Sequence, residues 1–256
     1  MSEVTDQQIK PLRKWNIYAG VLHFASMIAI LVLSNNFSLP ITATYMTGPP
    51  GSTQSDPVTL FSPRTAFLIA AFMGLSALFH FIVASRQFFG RYSKGLKEHR
   101  NYFRWVEYSL SSSLMIFIIS QLNGLSNYAT LLAIVGCNVS MILFGWLQEK
   151  YVEPGTKDLL PFFFGCIAGI VPWLIVVVQL IGPKDPSSVR APGFVYGIII
   201  SLFILFNCFA LVQYKQYKAN GKWANYLRGE KAYIILSFVA KSLLAWQIFA
   251  GTLAAK

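Results

Sequence analysis

The sequence predicts an all-α membrane protein in which seven helices cross the bilayer as one bundle. Hydrophobic residues make up 55% of the 256 residues and charged residues only 12%, about half the charged share of an ordinary soluble domain. Long apolar segments also recur along the whole chain, and each is close to the ~20 residues that a helix needs to cross a bilayer. We therefore expect a single multi-pass domain in a cell membrane.

Seven segments have the required length and are separated by connections rich in turn formers or charges. Their expected ranges are 13–36, 62–87, 100–122, 126–148, 158–182, 193–214 and 231–253. The first connection, 37–61, is the longest, and in it two β-prone runs, "ITATYM" and "PVTLF", flank a segment that contains Gly and Pro. This pattern predicts a short β-hairpin in the loop.

The distribution of basic residues predicts the orientation of the bundle. The net charge is +11, but the lysines and arginines lie between the apolar segments, so anionic lipid headgroups rather than nucleic acid are their expected partners. Sixteen of the 21 fall at the N-terminus or in the second–third, fourth–fifth and sixth–seventh connections. This bias predicts a cytoplasmic N-terminus, an extracellular C-terminus and an extracellular 37–61 loop.

One lysine, Lys241, lies inside the last apolar segment, in "SFVAKSLLAWQIF". It is ten residues from Lys231, or about 15 Å along a helix, which places it near the middle of a ~30 Å hydrocarbon core. A lysine stem is too short to reach the interface from there, and an unpaired charge costs at least ~2.5–3.5 kcal/mol. A facing carboxylate, loss of the proton or covalent modification of the amine would remove this cost.

Glu107 is the only acid inside a predicted span, because the other nine lie in tails, loops or span ends. The third and seventh helices run in the same direction, so Glu107 can face Lys241 from slightly nearer the cytoplasm. A structural salt bridge is one explanation of such a pair. Buried pairs often fail to repay their desolvation, so a functional role for intramembrane charges is the other.

Two histidines, His23 on the first helix and His80 on the second, are expected at the depth of Glu107. They are either hydrogen-bonded core residues or part of a polar cavity in which imidazole exchanges protons near neutral pH. No metal site is expected, because no further ligand lies at that depth and the sequence has no HxxxH pattern.

Seven helices with a lysine on the last and an acid on the third resemble the microbial rhodopsins. In that family the lysine binds retinal as a protonated Schiff base and the acid is its counterion. The third helix of that family has a motif of an arginine, an acid three residues later and hydroxyl residues about one turn further on. This motif is matched here by Arg104, Glu107, Ser111 and Ser112. A Met-xxx-Gly pair on the fourth helix is matched by Met141 and Gly145.

The departures from the proton-pump pattern are specific. The second carboxylate, eleven residues after the counterion, is replaced by Ile118, and the acid four residues before the lysine is replaced by Ser237. The aromatic and proline pattern of the sixth helix is replaced by Phe203, Phe206 and Asn207. With the inverted orientation, the long first loop and the two histidines, the whole chain resembles the heliorhodopsins.

This resemblance implies a light sensor, not an enzyme, with all-trans retinal covalently bound to Lys241 and Glu107 as counterion. It implies a homodimer with a slow photocycle and an unidentified cytoplasmic signalling partner. The expected retinal-binding residues also include Ser237, Tyr108, Ser111, Ser112, Met115, Met141, Gly145, Phe206 and Asn207. The expected proton cavity contains His23, His80 and Arg104, and Tyr108 and Ser237 are expected to belong to it and to its hydrogen bonds.

Two alternatives stay open from the sequence. A light-driven ion transporter would need acceptor and release groups on both sides of Lys241, and the outer half of the third helix offers only serines and a glutamine. A seven-helix receptor or carrier without a chromophore would use the Lys241–Glu107 pair as a structural lock. Catalysis is not expected, because no nucleophile–base pair appears.

Overall fold

The computed structural model describes residues 4–182 and 193–253. In these ranges the α-helices are α1 Asp6–Leu33, α2 Thr65–Ala84, α3 Phe89–Lys97, α4 Tyr102–Leu122, α5 Tyr128–Tyr151, α6 Leu160–Ile181, α7 Gly193–Lys218, α8 Tyr226–Leu236 and α9 Ser242–Ile248. A 3₁₀ turn, Gly221–Ala224, precedes α8, and π-helical turns at Ser237–Lys241 and Phe249–Leu253 follow α8 and α9. The last helix is therefore continuous from Tyr226 to Leu253.

Seven long helices within the described ranges form the bundle, which confirms the predicted fold class. In the described part of the chain, six helices are long and apolar enough to span a membrane: α1, α2, α5, α6, most of α7 and the helix Tyr226–Leu253. The seventh, α4, has 21 residues, but its charged residues and five serines lower its hydropathy. Helix α2 packs against α1 and α4, α5 against α4 and α6, and α8 against α7 and α1.

Several helices extend beyond the predicted spans, because hydropathy marks the membrane core and not the end of a helix. Helix α1 begins at Asp6, where Thr5 and Gln8 form a capping box. Helix α7 continues to Lys218, so only a short segment around the 3₁₀ turn connects it to α8. The second–third connection contains α3, a basic helix that buries Tyr92 and Leu96 against the bundle.

The predicted hairpin is present in the first loop. Strands β1 Ile41–Ala43 and β2 Val58–Phe61 pair antiparallel, with Thr42 opposite Thr59. The backbone N–H of Thr42 also donates to the carbonyl oxygen of Ser126 at 2.8 Å, which attaches β1 to the start of α5. We call this end of the bundle the hairpin face, and we call the opposite end, which carries α3, the basic face.

The two halves of the bundle differ in polarity. The largest buried cluster lies towards the hairpin face and is apolar, with Phe72, Ile116, Ile118, Trp173 and Leu244 among its members. The buried charged residues of the described chain lie at the middle of the bundle or towards the basic face. Lys241 and Glu107 lie at the boundary between the two halves.

Candidate functional site

An ion pair between Lys241 and Glu107 lies at the centre of the bundle. The lysine Nζ donates to Oε1 of Glu107 and to the hydroxyl oxygens of Ser76 and Ser111, at 2.9 and 3.0 Å. The Ser76 hydroxyl in turn donates to Oε1 of Glu107 at 2.9 Å. All three ammonium protons therefore have acceptors. Both charged residues are buried, at about 5% exposure. Ser76, on α2, was not predicted from the sequence.

The backbone at Lys241 is not a regular α-helix. Residues Ser237–Lys241 form a π-helical turn, and such turns are rare and often found at functional sites. The wider turn rotates the residues after it relative to a regular α-helix. The sequence contains no Pro or Gly here that would have indicated this turn.

The two histidines stack on each other beside the ion pair. The ring centroids of His23 and His80 are 5.6 Å apart, with an interplanar angle of 24°. Nε2 of His80 lies 3.0 Å from Oγ of Ser237, and Nδ1 lies 2.7 Å from Oδ1 of Asn16. Nε2 of His23 lies 3.5 Å from the same serine oxygen. Ser237 is one helical turn before Lys241, so the pair and the histidines are adjacent.

The expectation of one deep acid is wrong. Glu149 and Glu230 are only 3% and 1% exposed, and both form ion pairs with Arg104. Their positions were assigned to span ends, whereas α5 continues to Tyr151 and α8 already begins at Tyr226. Arg104 itself was the available signal, because an arginine inside a predicted span needs an acidic partner.

Arg104 has ion-pair partners that were not predicted from the sequence. It borders a small cavity that also contacts His80 and Glu107, but its guanidinium is bound by the two glutamates rather than by the histidines. Arg104 and His80 therefore share this small cavity, whereas His23 does not line it.

A larger cavity of about 360 Å³ opens beside Lys241. It is bordered by α4, α5, α6, α7 and the last helix, and its walls are mostly apolar and aromatic. The expected residues that line it are Tyr108, Ser111, Ser112, Met115, Met141, Gly145, Phe206 and Asn207, together with Lys241. Ser237 is not among the lining residues and instead contacts His80. The cavity is also lined by four aromatic residues that were not predicted from the sequence: Trp105, Phe162, Phe209 and Tyr233.

Two glycines allow the cavity walls to pack closely. A Cβ atom on Gly145 would lie 2.5 Å from Cζ3 of Trp105, and one on Gly169 would lie 2.3 Å from Sδ of Met141. The absence of a Cβ atom at both positions lets Trp105 and Met141 lie against bare helix backbone.

The cavity also has a polar border on α4 and α5. The buried amide of Asn138 donates to the hydroxyl oxygens of Ser112 and Ser113 at 2.8 and 3.0 Å. The Lys241 Nζ lies 5.0 Å from the ring centroid of Tyr108. A buried amine at the border of a mostly apolar cavity, with a carboxylate beside it, fits an apolar aldehyde such as retinal that attaches through the amine.

The fold is that of the microbial rhodopsins. The chain superposes on thermophilic rhodopsin with a TM-score of 0.63 at 14% identity, over 98% of this chain and 95% of the other. It superposes on the light-driven proton pump LR (Mac) from Leptosphaeria maculans with a TM-score of 0.60 at 15% identity, over 97% and 96%. At this identity the likeness establishes the fold. No curated protein matches the sequence significantly.

The sequence profile of the heliorhodopsin family matches residues 12–253, so the chain belongs to that family. It is a multi-pass membrane protein of the retinal-binding rhodopsin class. The family implies a retinal chromophore.

Proposed function

We propose that this protein is a light sensor in which retinal is bound covalently to Nζ of Lys241, with Glu107 as its counterion. The observation that carries the proposal is the position of Lys241. Its buried amine borders the 360 Å³ apolar cavity and forms an ion pair with the Glu107 carboxylate. When bound, retinal would supply visible absorption, light-driven isomerisation and a protonated Schiff base at this nitrogen.

Glu107 and its two serine neighbours would hold the positive charge at Nζ in the dark. The carboxylate accepts directly from Nζ, and Ser76 bridges the two groups through its hydroxyl. Ser111 supplies a further acceptor from the next turn of α4. Because both charged side chains are buried, these contacts are stronger than they would be at a surface.

The histidine cluster would receive the proton that leaves Nζ after illumination. Ser237 is one turn from Lys241 and contacts both imidazole rings, at 3.0 Å from His80 and 3.5 Å from His23. In the described chain, Nδ1 of the buried His23 has no hydrogen-bond partner, which leaves it available as a proton acceptor. Slow return of the proton from this cluster would give a long-lived signalling state.

The apolar half of the bundle favours sensing over pumping. The acids inside the helices lie at the level of Lys241 or nearer the basic face, and Ile118, on the hairpin side of Glu107, is 1% exposed in the main apolar cluster. A proton relay to the hairpin face has no titratable side chain to use along α4. The charge bias supports an orientation with the N-terminus in the cytoplasm. Homodimerisation and a cytoplasmic signalling partner stay predictions.

A visible spectrum of the purified protein expressed with all-trans retinal tests the proposal. We expect a visible band that hydroxylamine bleaches under light and that Lys241→Ala abolishes. Lys231→Ala is the matched control, since Lys231 is at the basic end of the same helix and should leave the band unchanged. A colourless wild-type protein, or a band that persists in Lys241→Ala, would refute the retinal link.

A further inference from the structure

The basic half of the bundle contains a second buried ionic cluster that the light reaction proposed above does not use. Nη2 of Arg104 donates to Oε2 of Glu149, and Nη1 donates to Oε1 of Glu230. The three residues come from α4, α5 and α8 and are 6%, 3% and 1% exposed. We call Arg104, Glu149 and Glu230 the triad.

The ionised triad has more negative than positive charges. Fully ionised, it contains one cation and two carboxylates, and in the described chain no other cation lies within ion-pair distance of either glutamate. Lys241 cannot compensate the extra charge, because it is paired with Glu107. An uncompensated charge in a buried site is costly and is commonly removed by binding a proton. One proton on either glutamate makes the triad neutral.

The remaining contacts of the triad are with neutral donors. The backbone N–H of Asn101 donates to Oε1 of Glu149, and its side-chain amide donates to Oε2 of Glu230 at 2.8 Å. The Tyr226 hydroxyl donates to Oε2 of Glu149 at 3.4 Å. These donors satisfy the carboxyl oxygens but supply no positive charge.

The other titratable groups that face the triad are tyrosines, which are neutral at ordinary pH. They come from α3, α4, α7 and the last helix and are Tyr92, Tyr108, Tyr217, Tyr226 and Tyr233. Burial raises the pKa of Tyr92, which lies outside the membrane-spanning segments. None of these groups balances the second carboxylate.

Several buried polar atoms beside the triad have no partner among the described residues. They are Nε of Arg104, the hydroxyls of Tyr217 and Tyr233, and Oε1 of Gln216. Tyr217 and Tyr233 are only 2% and 3% exposed, so bulk water does not satisfy them. Buried polar groups are almost always hydrogen-bonded, which indicates internal water at this site.

A small cavity lies between two residues of the triad, Arg104 and Glu230, and the counterion Glu107. Its volume is about 50 Å³, and its lining includes Arg104, Glu230 and Tyr233 at one end and Glu107, His80 and Ser237 at the other. One water molecule needs about 10–15 Å³ of such volume. The cavity therefore has room for water between two sets of titratable groups.

We propose that the triad is a second proton-binding site, which holds one proton between Glu149 and Glu230 in the dark and exchanges it through water in the small cavity with the His80 end. When the proton leaves, the O–H bond of one carboxyl breaks and a water molecule accepts the proton. That water passes a proton to the imidazole of His80, and the triad retains the negative charge. This site does not depend on the retinal link.

Infrared difference spectra of the retinal-loaded protein in the dark, in H₂O and in D₂O, test this proposal. We expect a carbonyl stretch of a protonated carboxylic acid that shifts on deuteration. Either Glu149→Gln or Glu230→Gln should abolish it, because the remaining glutamate then balances Arg104 alone. Glu153→Gln, at an exposed acid just beyond α5, is the matched control and should keep the band. Absence of the band in the wild type, or its survival in either triad variant, overturns the proposal.

Two further measurements keep the test decisive. If neither triad variant folds, the test uses wild-type protein labelled with ¹³C at the glutamate side-chain carboxyl. A carbonyl band that the label does not shift excludes Glu149 and Glu230 as its source. Tyr233→Phe keeps every charge, so it should retain the band but slow its deuteration several-fold, and an unchanged rate excludes the cavity as the exchange route. A colourless wild-type protein that still shows the band would refute the retinal link and leave the triad proposal standing.

Discussion

The Nε2 atom of His80 lies 3.0 Å from Oγ of Ser237, which occupies the position one helical turn before Lys241. This contact joins α2 to the π-helical turn that carries the lysine. It places an imidazole beside the Lys241–Glu107 pair without an ion pair between them. The His80 imidazole, which can accept a proton, therefore lies near the positively charged Lys241 amine but does not contact it directly.

Replacement of Glu107 by Gln is expected to shift the visible band to the red and to lower the pH at which the band is lost. The amide keeps the size of the side chain but removes the negative charge that stabilises the cation at Nζ. A pH titration of the purified variant followed by visible absorbance measures both effects. Glu107→Asp keeps the charge and should show smaller changes. An unchanged spectrum in Glu107→Gln would show that another group is the counterion.

Replacement of both His23 and His80 by Phe should change proton-transfer kinetics more than colour. The imidazoles lie one hydrogen bond away from the ion pair, through Ser237, and not within it. Flash photolysis is expected to show an altered rise and decay of the deprotonated intermediate, with a band maximum close to that of the wild type. His99→Phe, at the basic face, is the control. Unaltered kinetics in the double variant would exclude the histidines as acceptors.

Gly145→Ala should lower both stability and chromophore yield. The new methyl group would lie 2.5 Å from Cζ3 of Trp105, and overpacking of this kind costs about 1–3 kcal/mol. The melting temperature and the ratio of visible to ultraviolet absorbance measure the two effects. Gly136→Ala, on the same helix, is the matched control because a Cβ atom there meets nothing within 4 Å. Equal behaviour of the two variants would argue against close packing at Gly145.

Illumination of cells that contain the protein should leave the external pH unchanged. The hairpin half of α4 presents Ile116, Ile118 and Ile119 to the apolar core, and these side chains cannot carry a proton. Recordings with and without an uncoupler distinguish a pump from a passive response. A light-dependent pH change that the uncoupler abolishes would favour a transporter.

The two charged residues at the centre of the site could be predicted because charges are rare inside membrane-spanning segments. Lys241 and Glu107 interrupt apolar segments, and so their pairing could be proposed from depth alone. Asn16 and Ser76 could not, because neutral polar residues are common in helices and their depth does not show which neighbour they bond. Glu149 and Glu230 were missed for another reason: both lie near span ends, where acids usually face water.

The sequence by itself determined the seven-helix class, the hairpin, the membrane location and the depth of the central charges, since these depend on hydropathy and on local pattern. Only the tertiary structure decided which side chains meet. The stacking of His23 on His80 and the two ion pairs of Arg104 depend on contacts between helices far apart in the chain. The π-helical turn at Lys241 has no Pro or Gly that would have indicated it. A hydrophobic pattern indicates which face of a helix is buried but not which helix packs against it, because apolar burial has no preferred direction. Hydrogen bonds are directional, so their partners are known only once the helices are placed.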